Sequence, residues 1–366
     1  MAQLPIGVDI GSTAVRLVQL SGSRRDLRVV DAAKFVIPRE AMASDSRQRT
    51  FIVEHLRRLV KERRFRGREA VMALAPSQVA VRNIRMPDLD DEEIAQAVTW
   101  EAQNKFPFDT ATAVIQYLEA GRVRQGDEVL DEIIVFASPR VEVESRIELA
   151  AEARLELVSV DTVPCAVFRG FERFLQRRED EDMVSVFADI GAETAVAISR
   201  GREVVFVKTI PIGGTLFNRV VGECLDLEPA EAEALRRRIA SRTAAGEADP
   251  HDRAARAVAD AIRPHLEDLA DEIGLCLRYY GVTFRGARPE QIAFTGGEAH
   301  HPHVTATLAD RLGMEAAVAD PFRNVRTDHL GPVLDRRGIR AEWATAFGLS
   351  LKGFHLAHDH AGQYAA

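Results

Sequence analysis

The chain has 366 residues, a net charge of −8, 46% hydrophobic residues and 28% charged residues, which excludes a disordered, collagenous or low-complexity protein. No apolar run approaches the ~18 residues of a membrane span, and no basic segment followed by an apolar stretch predicts a signal peptide. The acidic balance argues against nucleic acid as a partner. The three cysteines, Cys165, Cys224 and Cys276, are too widely spaced for a disulfide framework or a zinc site, and they favour a reducing cytoplasm.

An internal repeat is the most informative feature of the sequence. Residues 6–20 are IGVDIGSTAVRLVQL, and residues 186–200 are VFADIGAETAVAISR. Each segment alternates apolar and other residues, passes through Asp-Ile-Gly and a short polar turn, and alternates again, which predicts a β-hairpin with a glycine-dependent turn. Two halves that open on the same hairpin predict a duplicated α/β fold with a cleft between the halves.

The segment between the two hairpins predicts an inserted β-α-β-α-β block. A helix is expected near 50–64, before this block. The expected elements of the block region are strands at 70–75 and 79–86, a helix near 91–105, a strand at Ile133–Ala137, a helix at 140–154 and a strand at 158–160. Asp90 and Glu93 form the pattern of a capping box at the start of the helix near 91–105.

The second half continues with a strand at 204–210 and the sequence Pro211-Ile212-Gly213-Gly214. Further expected elements are a helix after Thr215, two helices within 231–262 around a mobile loop, a long helix from about Pro264 to Tyr280, a strand at Ile292–Thr295 and a last helix near 341–351. The short strand ends in Gly296-Gly297, a third glycine turn between a strand and a helix.

The glycine turns predict a phosphate site. A hairpin of the type Asp-x-Gly presents several backbone N–H groups in one concave turn, which binds phosphate without basic side chains. An aspartate at the strand end can hold Mg²⁺ through its water shell. Two facing hairpins would clamp a β- and a γ-phosphate, and the third glycine turn would accept an α-phosphate or a ribose. The alternative is that each Asp-x-Gly is only a tight turn.

These motifs resemble those of the actin/Hsp70/sugar-kinase superfamily, and within it the PilM family of type IV pilus assembly proteins, with the FtsA cell-division family next. The residues at 9–16 look like the first phosphate loop, those at 189–194 like the second, and those at 294–297 like the adenosine loop. The more specific signs are Trp100-Glu101-Ala102, Phe106-Pro107-Phe108, Val160-Asp161, Ile210-Pro211-Ile212-Gly213-Gly214, Ala319-Asp320-Pro321-Phe322 and Ala344-Thr345-Ala346-Phe347-Gly348-Leu349.

The resemblance implies an actin-like, duplicated two-domain α/β fold with a nucleotide cleft. Its expected subdomains are 1A (1–76, 158–182 and 340–354), an inserted 1C (77–157), 2A (183–213 and 286–339) and 2B (214–285), with a flexible tail at 355–366. It also implies a cytoplasmic ATP-binding scaffold that docks the N-terminal peptide of a PilN-like protein and is peripheral to the inner membrane through that partner. Self-association stays open, and no direct membrane insertion is expected.

The resemblance also assigns site residues. Those expected to bind ATP are Asp9, Gly11, Ser12, Thr13, Arg16, Asp189, Gly191, Ala192, Glu193, Thr194, Gly213, Gly214, Glu233, Arg236, Gly296, Gly297 and Glu298. Asp9 and Asp189 would hold Mg²⁺ through water, and Glu233 with Arg236 loosely matches a Glu-x-x-Lys pair that contacts adenine. Glu298 departs from the usual third glycine of the adenosine loop. Trp100, Phe106, Pro107 and Phe108 are the expected partner residues, and Trp100 alternatively forms a second packing face of its helix.

No catalytic residue is assigned firmly. Actin-like ATPases position the attacking water with a Gln or Glu on the helix that follows the strand at 158–160, and here Val163 stands in that position. Asp161 and Asp189 are the remaining candidates, and we expect ATP binding with weak or absent hydrolysis. The alternative is that Glu193 of the second hairpin, or Asp161, positions the water. An FtsA-like filament protein and a sugar-kinase-type phosphotransferase are the alternative functions.

Overall fold

A five-stranded sheet forms the core of the first half. In this computed structural model the chain is described at residues 2–103, 105–175, 177–249, 251–286, 288–289, 291–327 and 340–356. The first sheet has the order β3-β2-β1-β4-β8, with β1 at Ala2–Ile10, β2 at Ala14–Ser23, β3 at Asp26–Val36, β4 at Glu69–Leu74 and β8 at Glu156–Thr162. The first three strands are antiparallel, whereas β1, β4 and β8 run parallel, so their carboxyl ends share one edge.

The second half repeats this arrangement strand for strand. Its sheet has the order β11-β10-β9-β12-β13, with β9 at Val184–Ile190, β10 at Thr194–Arg200, β11 at Glu203–Ile210, β12 at Gln291–Thr295 and β13 at Glu315–Val318. Again a three-stranded antiparallel meander precedes two parallel strands. The two predicted hairpins are therefore β1–β2 and β9–β10, and the predicted duplication of an α/β unit is confirmed.

A third, smaller sheet is inserted between β4 and β8. It has the order β5-β7-β6, with β5 at Ala80–Met86, β6 at Ala113–Gln125 and β7 at Glu128–Pro139. The predicted elements did not include β3, β6 or β13. Strand β6 mixes exposed and partly buried residues without clean alternation, β3 is mostly buried but carries Asp31 within its apolar run, and β13 has only four residues.

The helices pack around and between the sheets. They are α1 (Asp45–Glu62), α2 (Asp91–Ala102), α3 (Arg140–Glu152), α4 (Val163–Glu172), α5 (Gly214–Leu225), α6 (Pro229–Ala244), α7 (Arg253–Phe284), α8 (Pro302–Leu312) and α9 (Ala344–Leu351). Helix α7 corrects the expectation of a break before Pro264, because this proline lies inside one continuous helix. The helix is buried before and after the proline, at Val258, Ile262 and Leu266. This packing outweighs the loss of the one backbone hydrogen bond that proline cannot donate. Among the described helices, none is both long and apolar enough to cross a membrane.

Helices α4 and α9 fill the space between the two large sheets at very close range. A Cβ atom on Gly348 of α9 would lie 1.7 Å from the carbonyl oxygen of Ala166 in α4. A Cβ on Gly7 of β1 would lie 2.0 Å from the carbonyl oxygen of Ala346. Glycine is therefore required at both contacts, which join α9 to α4 and to the first sheet.

A buried polar network joins the third sheet to the second half. Glu132 of β7 is fully buried and accepts hydrogen bonds from the Tyr279 hydroxyl of α7 and, at 2.8 Å, from Arg85 Nε. Arg85 Nη2 in turn donates to Thr283 Oγ1 of α7 at 3.2 Å. Because the buried carboxylate has partners on both elements, the network holds the inserted sheet against α7.

Candidate functional site

A large cavity lies between the two halves, at the shared carboxyl edge of the first sheet and the matching edge of the second. Its volume is about 1290 Å³, and the ends of both hairpins, the loop after β12 and the first residues of α4 and α5 line it. Of the residues predicted to bind ATP, those that line the cavity are Asp9, Gly11, Ser12, Thr13, Arg16, Asp189, Gly191, Ala192, Glu193, Gly214, Glu233, Gly296, Gly297 and Glu298.

The hairpin turns are closed by their own backbones. Gly11 N donates to Ala14 O at 3.0 Å, and Gly191 N donates to Glu193 O at 3.0 Å. The turn before α5 braces the second hairpin, because Gly214 N donates to Gly191 O at 2.8 Å. Thr215 N likewise donates to Ala192 O at 3.2 Å, so the first turn of α5 is tied to the second hairpin at the edge of the cavity.

Two predicted cofactor residues lie behind the cavity wall. Thr194 is fully buried, and its Oγ1 donates to Ile212 O at 2.7 Å. Gly213 is also absent from the lining, and a Cβ there would lie 2.7 Å from Ala192 O. Both residues thus hold the second hairpin against the turn before α5, and we infer that they shape the site without contacting a ligand.

The third glycine turn touches the second hairpin directly. Gly296 has φ +88°, and a Cβ on it would lie 2.5 Å from Ile190 O, so only glycine fits here. Thr295 Oγ1, one residue earlier, donates to Asp189 Oδ1 at 2.7 Å. The third turn and the second hairpin therefore form one rigid wall of the cavity.

Two partly buried carboxylates, those of Asp9 and Asp189, line the same cavity. Burial raises the pKa of Asp189 to about 6, with a smaller contribution from the charge of Asp9, although the Thr295 hydroxyl opposes it. Burial also raises the pKa of Asp9 despite the opposing charge of Arg16, whose Nη1 lies 3.6 Å from Asp9 Oδ2. Both carboxylates are thus disfavoured as anions, and a cation held by them would relieve this cost.

A third carboxylate orders Arg16, one of the basic side chains that line the cavity. Glu342 accepts a hydrogen bond from Arg16 Nη2 at 2.7 Å and from Lys34 Nζ at 2.8 Å. Although burial favours its neutral form, the charges of Arg16 and Lys34 hold the pKa of Glu342 below its ordinary value. Sequence reasoning missed Lys34 and Glu342, which lie 308 positions apart and belong to no shared motif.

Glu342→Gln is expected to lower the free energy of unfolding by about 2 kcal/mol, since a hydrogen-bonded charge between two cations is replaced by a neutral amide. Because the folded pKa of Glu342 is depressed, its contribution is present at neutral pH and is lost as the pH falls through that pKa. Urea unfolding at neutral and acid pH measures this. The exposed control Glu128→Gln should change stability by less than about 0.5 kcal/mol, and an equal loss in both variants would contradict the assignment.

The expected adenine pair is corrected at one residue. Arg236 is only 1% exposed and forms an ion pair with Glu298, and its Nη1 donates to Asn218 Oδ1 at 2.7 Å. The cavity is lined instead by the next residue, Arg237, which pairs with Glu233 at 2.7 Å. Helical periodicity turns consecutive side chains by about 100°, so a motif displaced by one position points to a different face.

The candidate positions for catalysis differ in whether they line the cavity. Asp161 lies outside the cavity lining and pairs with Arg169 at 2.8 Å and Lys352 at 3.3 Å. Although burial opposes ionisation, these two cations hold the pKa of Asp161 below its ordinary value. Val163, the first residue of α4, lines the cavity, as does Glu193, whose pKa is raised by partial burial.

The expected partner residues lie at one end of the third sheet, away from the cavity. Trp100 is 67% exposed, so the alternative that it forms a packing face of α2 is wrong. Ile94 and Val98 fill that role and are buried on the third sheet. The Phe106 and Phe108 rings lie 5.9 Å apart, and Phe106 packs at the margin of the same core, while Pro107 is exposed.

Comparison with a family model places this geometry among known proteins. Residues 7–354 match the model described as type IV pilus assembly protein PilM. The match includes both hairpins, the inserted third sheet and the third glycine turn, so it spans every part of the cavity described above.

Solved structures share the fold across almost the whole chain. A structure titled "PilM-PilN type IV pilus biogenesis complex" is 24% identical, with a TM-score of 0.78, and the match covers 95% of this chain and 98% of that one. The ethanolamine utilization protein EutJ from Carboxydothermus hydrogenoformans is 16% identical, with a TM-score of 0.55 and coverages of 96% and 90%. MreB5 of Spiroplasma citri bound to ADP is 10% identical, with a TM-score of 0.52 and coverages of 97% and 97%. The predicted actin-like fold is confirmed.

Proposed function

The chain belongs to the type IV pilus assembly protein PilM family, and we propose that it is an ATP-binding scaffold that docks the cytoplasmic N-terminal peptide of a PilN-like membrane protein. In this proposal the third sheet with α2 is the partner-binding subdomain 1C. The two large sheets belong to subdomains 1A and 2A, and α5, α6 and α7 to subdomain 2B. The protein would sit at the cytoplasmic face of the inner membrane through its partner.

The observation that supports nucleotide binding is the convergence of two glycine hairpins, a third glycine turn and a helix N-terminus on one cavity. Backbone N–H groups of the hairpin turns would supply the anion site, and Arg16 supplies a cation held by Glu342. The solved MreB5 structure of the same fold holds ADP. The part of the cavity wall around Glu233 and Arg237 would contact the base and the ribose of the nucleotide.

Magnesium fits the donor set of this cavity. Asp9 and Asp189, one from each hairpin, line the cavity, and burial raises the pKa of both. Asp9 and Asp189 would hold a hydrated Mg²⁺, which would offset this cost and supply positive charge to the phosphates. Arg16 and the hairpin N–H groups would position those phosphates, and Thr295 would orient Asp189 through its hydroxyl.

Nucleotide binding is tested by thermal unfolding with and without Mg-ATP. A ligand that binds only the folded chain stabilises it by about 2.7 kcal/mol at a hundredfold excess over its Kd. The melting temperature should rise with Mg-ATP and Mg-ADP, and less with ATP in excess EDTA. No rise with any of these at millimolar nucleotide would refute nucleotide binding.

The observation that supports partner docking is the exposed indole of Trp100 on a helix whose apolar residues Ile94 and Val98 are buried. Trp100 is surrounded on the surface by Ala95, Gln96, Thr99 and Gln103, which form a shallow hollow. Strand β6 lies at the edge of the third sheet and pairs only with β7 among the described residues. An extended peptide with alternating apolar side chains could place one in the hollow and add main-chain bonds to a sheet edge.

Trp100→Ala is expected to weaken binding of the partner's N-terminal peptide by about thirtyfold, because a partly exposed tryptophan is a typical binding hot spot. Its exposure means that the free energy of unfolding should stay within about 0.5 kcal/mol of wild type. Peptide titration by calorimetry measures the affinity. Val129→Ala, an exposed apolar residue of the same sheet, is the matched control.

If Trp100→Ala and Val129→Ala weaken peptide binding equally, the loss of affinity reflects a general loss of structure in the third sheet and contradicts a specific role of Trp100. Undiminished binding by Trp100→Ala would remove the hollow on α2 from the partner site. Neither outcome affects the nucleotide test, because Trp100 lies outside the cavity lining.

A further inference from the structure

Positive charge is concentrated in one short segment of this acidic chain. Residues 57–68 contain seven of the 48 basic residues and one of the 56 acidic residues. The segment covers the last turn and a half of α1 and the loop that leads into β4. A strongly basic segment in a chain of net charge −8 marks a surface for an anionic partner.

The topology spreads this charge along one edge of the first sheet. Because β1, β4 and β8 are parallel and end at the cavity, their first residues lie at the opposite edge. Arg66 O accepts from Gln3 Nε2 at 3.0 Å, and Arg68 Nη1 donates to Arg154 O at 3.0 Å, so the α1–β4 loop touches both neighbouring strand starts. Five strands about 4.8 Å apart span about 19 Å. We define the basic edge as Arg25, Arg57, Arg58, Lys61, Arg64, Arg66, Arg68 and Arg154, with Asp26, Glu62, Glu69, Glu152 and Glu156 beside it.

The loop backbone is fixed while its charges are left unpaired. Arg64 N donates to Asp31 Oδ2 at 2.7 Å, and Arg66 N donates to Gln19 Oε1 at 2.8 Å. Arg63 is held by Asp31, with Nη2 2.7 Å from Oδ1. In contrast, the exposed side chains of Arg58, Lys61, Arg64 and Arg66 make no hydrogen bond or ion pair with any residue that the structure describes. A rigid loop thus presents free cations to solvent.

The basic edge lacks exposed apolar side chains, which indicates what kind of anionic partner it fits. Among the described residues, no large hydrophobic side chain of the basic edge or of residues 57–68 is exposed. A docked peptide is usually anchored by a buried apolar or aromatic side chain, which this surface does not accommodate. A flat row of cations about 19 Å wide instead matches an array of phosphate groups, to which each basic residue adds roughly fivefold in binding.

We propose that the basic edge lies against the anionic surface of a membrane, without insertion. The edge is at the opposite end of the first sheet from the cavity, so the cavity would open away from the lipid. This contact goes beyond the proposed function and needs neither bound nucleotide nor the partner peptide. It would add an electrostatic contact of the scaffold itself to the one made through its partner.

The test is co-sedimentation of the full chain with lipid vesicles. We expect binding to vesicles with about one third phosphatidylglycerol at about 0.05 M salt, little binding to pure phosphatidylcholine, and loss of binding at about 0.5 M salt. The triple variant Arg58→Gln, Lys61→Gln, Arg64→Gln should bind the anionic vesicles at least tenfold more weakly. These side chains are exposed, so its melting temperature should match that of wild type.

Two controls separate position from net charge. Arg238→Gln, Arg253→Gln, Arg278→Gln neutralises three exposed arginines of α6 and α7, and it should bind like wild type. Arg58→Lys, Arg64→Lys keeps the charge and should also bind. No wild-type binding to anionic vesicles at low salt, or an equal loss in both neutralised variants, would overturn the proposal. Binding to poly-glutamate but not to vesicles would assign the edge to an acidic protein segment and equally overturn it.

Discussion

Replacing Asp189 by Asn is expected to stabilise the ligand-free protein and to abolish most of its stabilisation by Mg-ATP. Burial raises the pKa of Asp189 to about 6. At pH 7 and above the ionised carboxylate therefore destabilises the folded state relative to the unfolded state, in which the same group is fully solvated. The amide keeps the shape and still accepts from Thr295 Oγ1. We therefore expect the ligand-free variant to gain up to about 3 kcal/mol at alkaline pH.

The sign of the pH dependence follows from the raised pKa. A carboxyl whose folded pKa is above its unfolded value contributes stability that is fully present below the unfolded pKa and is lost as the pH rises through about 6. The gain of Asp189→Asn over wild type should therefore vanish near pH 4 and grow through pH 6. Mg-ATP should show the reverse dependence in wild type, because the metal binds the ionised carboxylate.

Urea unfolding across this pH range, with and without Mg-ATP, measures both effects. Asp310→Asn, an exposed carboxylate of α8, is the matched control and should change neither. Equal nucleotide stabilisation of wild type and Asp189→Asn would exclude Asp189 from the metal site. A ligand-free variant that is less stable than wild type at every pH would contradict the raised pKa.

The parts of the fold that were predictable are those in which one local rule decides. Asp9-Ile10-Gly11 and Asp189-Ile190-Gly191 each place a glycine between two alternating segments, and both became hairpins at the cavity. The buried Ile94 and Val98 of α2 follow from helical spacing in the same way. The Asp-Ile-Gly motif occurs twice and the apolar spacing repeats along the helix, so both patterns predict local structure without tertiary information.

Other features depend on contacts that the local sequence does not encode. Pro264 normally ends a helix, yet packing along α7 carries the helix through it. Arg236 and Arg237 are equivalent in sequence, and only the position of Glu298 decides which of them is buried. Glu342 became part of the site because α9 follows it into the space between the sheets. Each case requires the tertiary arrangement first.

Wild-type protein is expected to hydrolyse ATP at or near the background rate, and Val163→Glu to raise turnover by up to about 10²–10⁴. Hydrolysis needs a water held in line with the γ-phosphate, and a valine can neither orient this water nor accept its proton. Val163 lines the cavity at the first residue of α4 and is 7% exposed, so a longer acidic side chain there would face the phosphate site.

The other acidic candidates are less suited to this role. Asp161 is occupied by Arg169 and Lys352 and does not line the cavity, so it has no access to the water. Glu193 does line the cavity, on the turn of the second hairpin. If Glu193 positions the water, Glu193→Gln should lower the turnover of wild type, whereas we expect no change.

Phosphate release at saturating Mg-ATP measures the turnover of wild type, Val163→Glu and the apolar control Val163→Leu. The melting shift with Mg-ADP shows for each variant that the cavity is intact, which matters because Val163 also packs in the main core. We expect Val163→Leu to match wild type, since it adds no polar group. A wild-type turnover well above about one per minute would contradict slow hydrolysis. An intact Val163→Glu that binds nucleotide and remains at background would show that this position does not control the water.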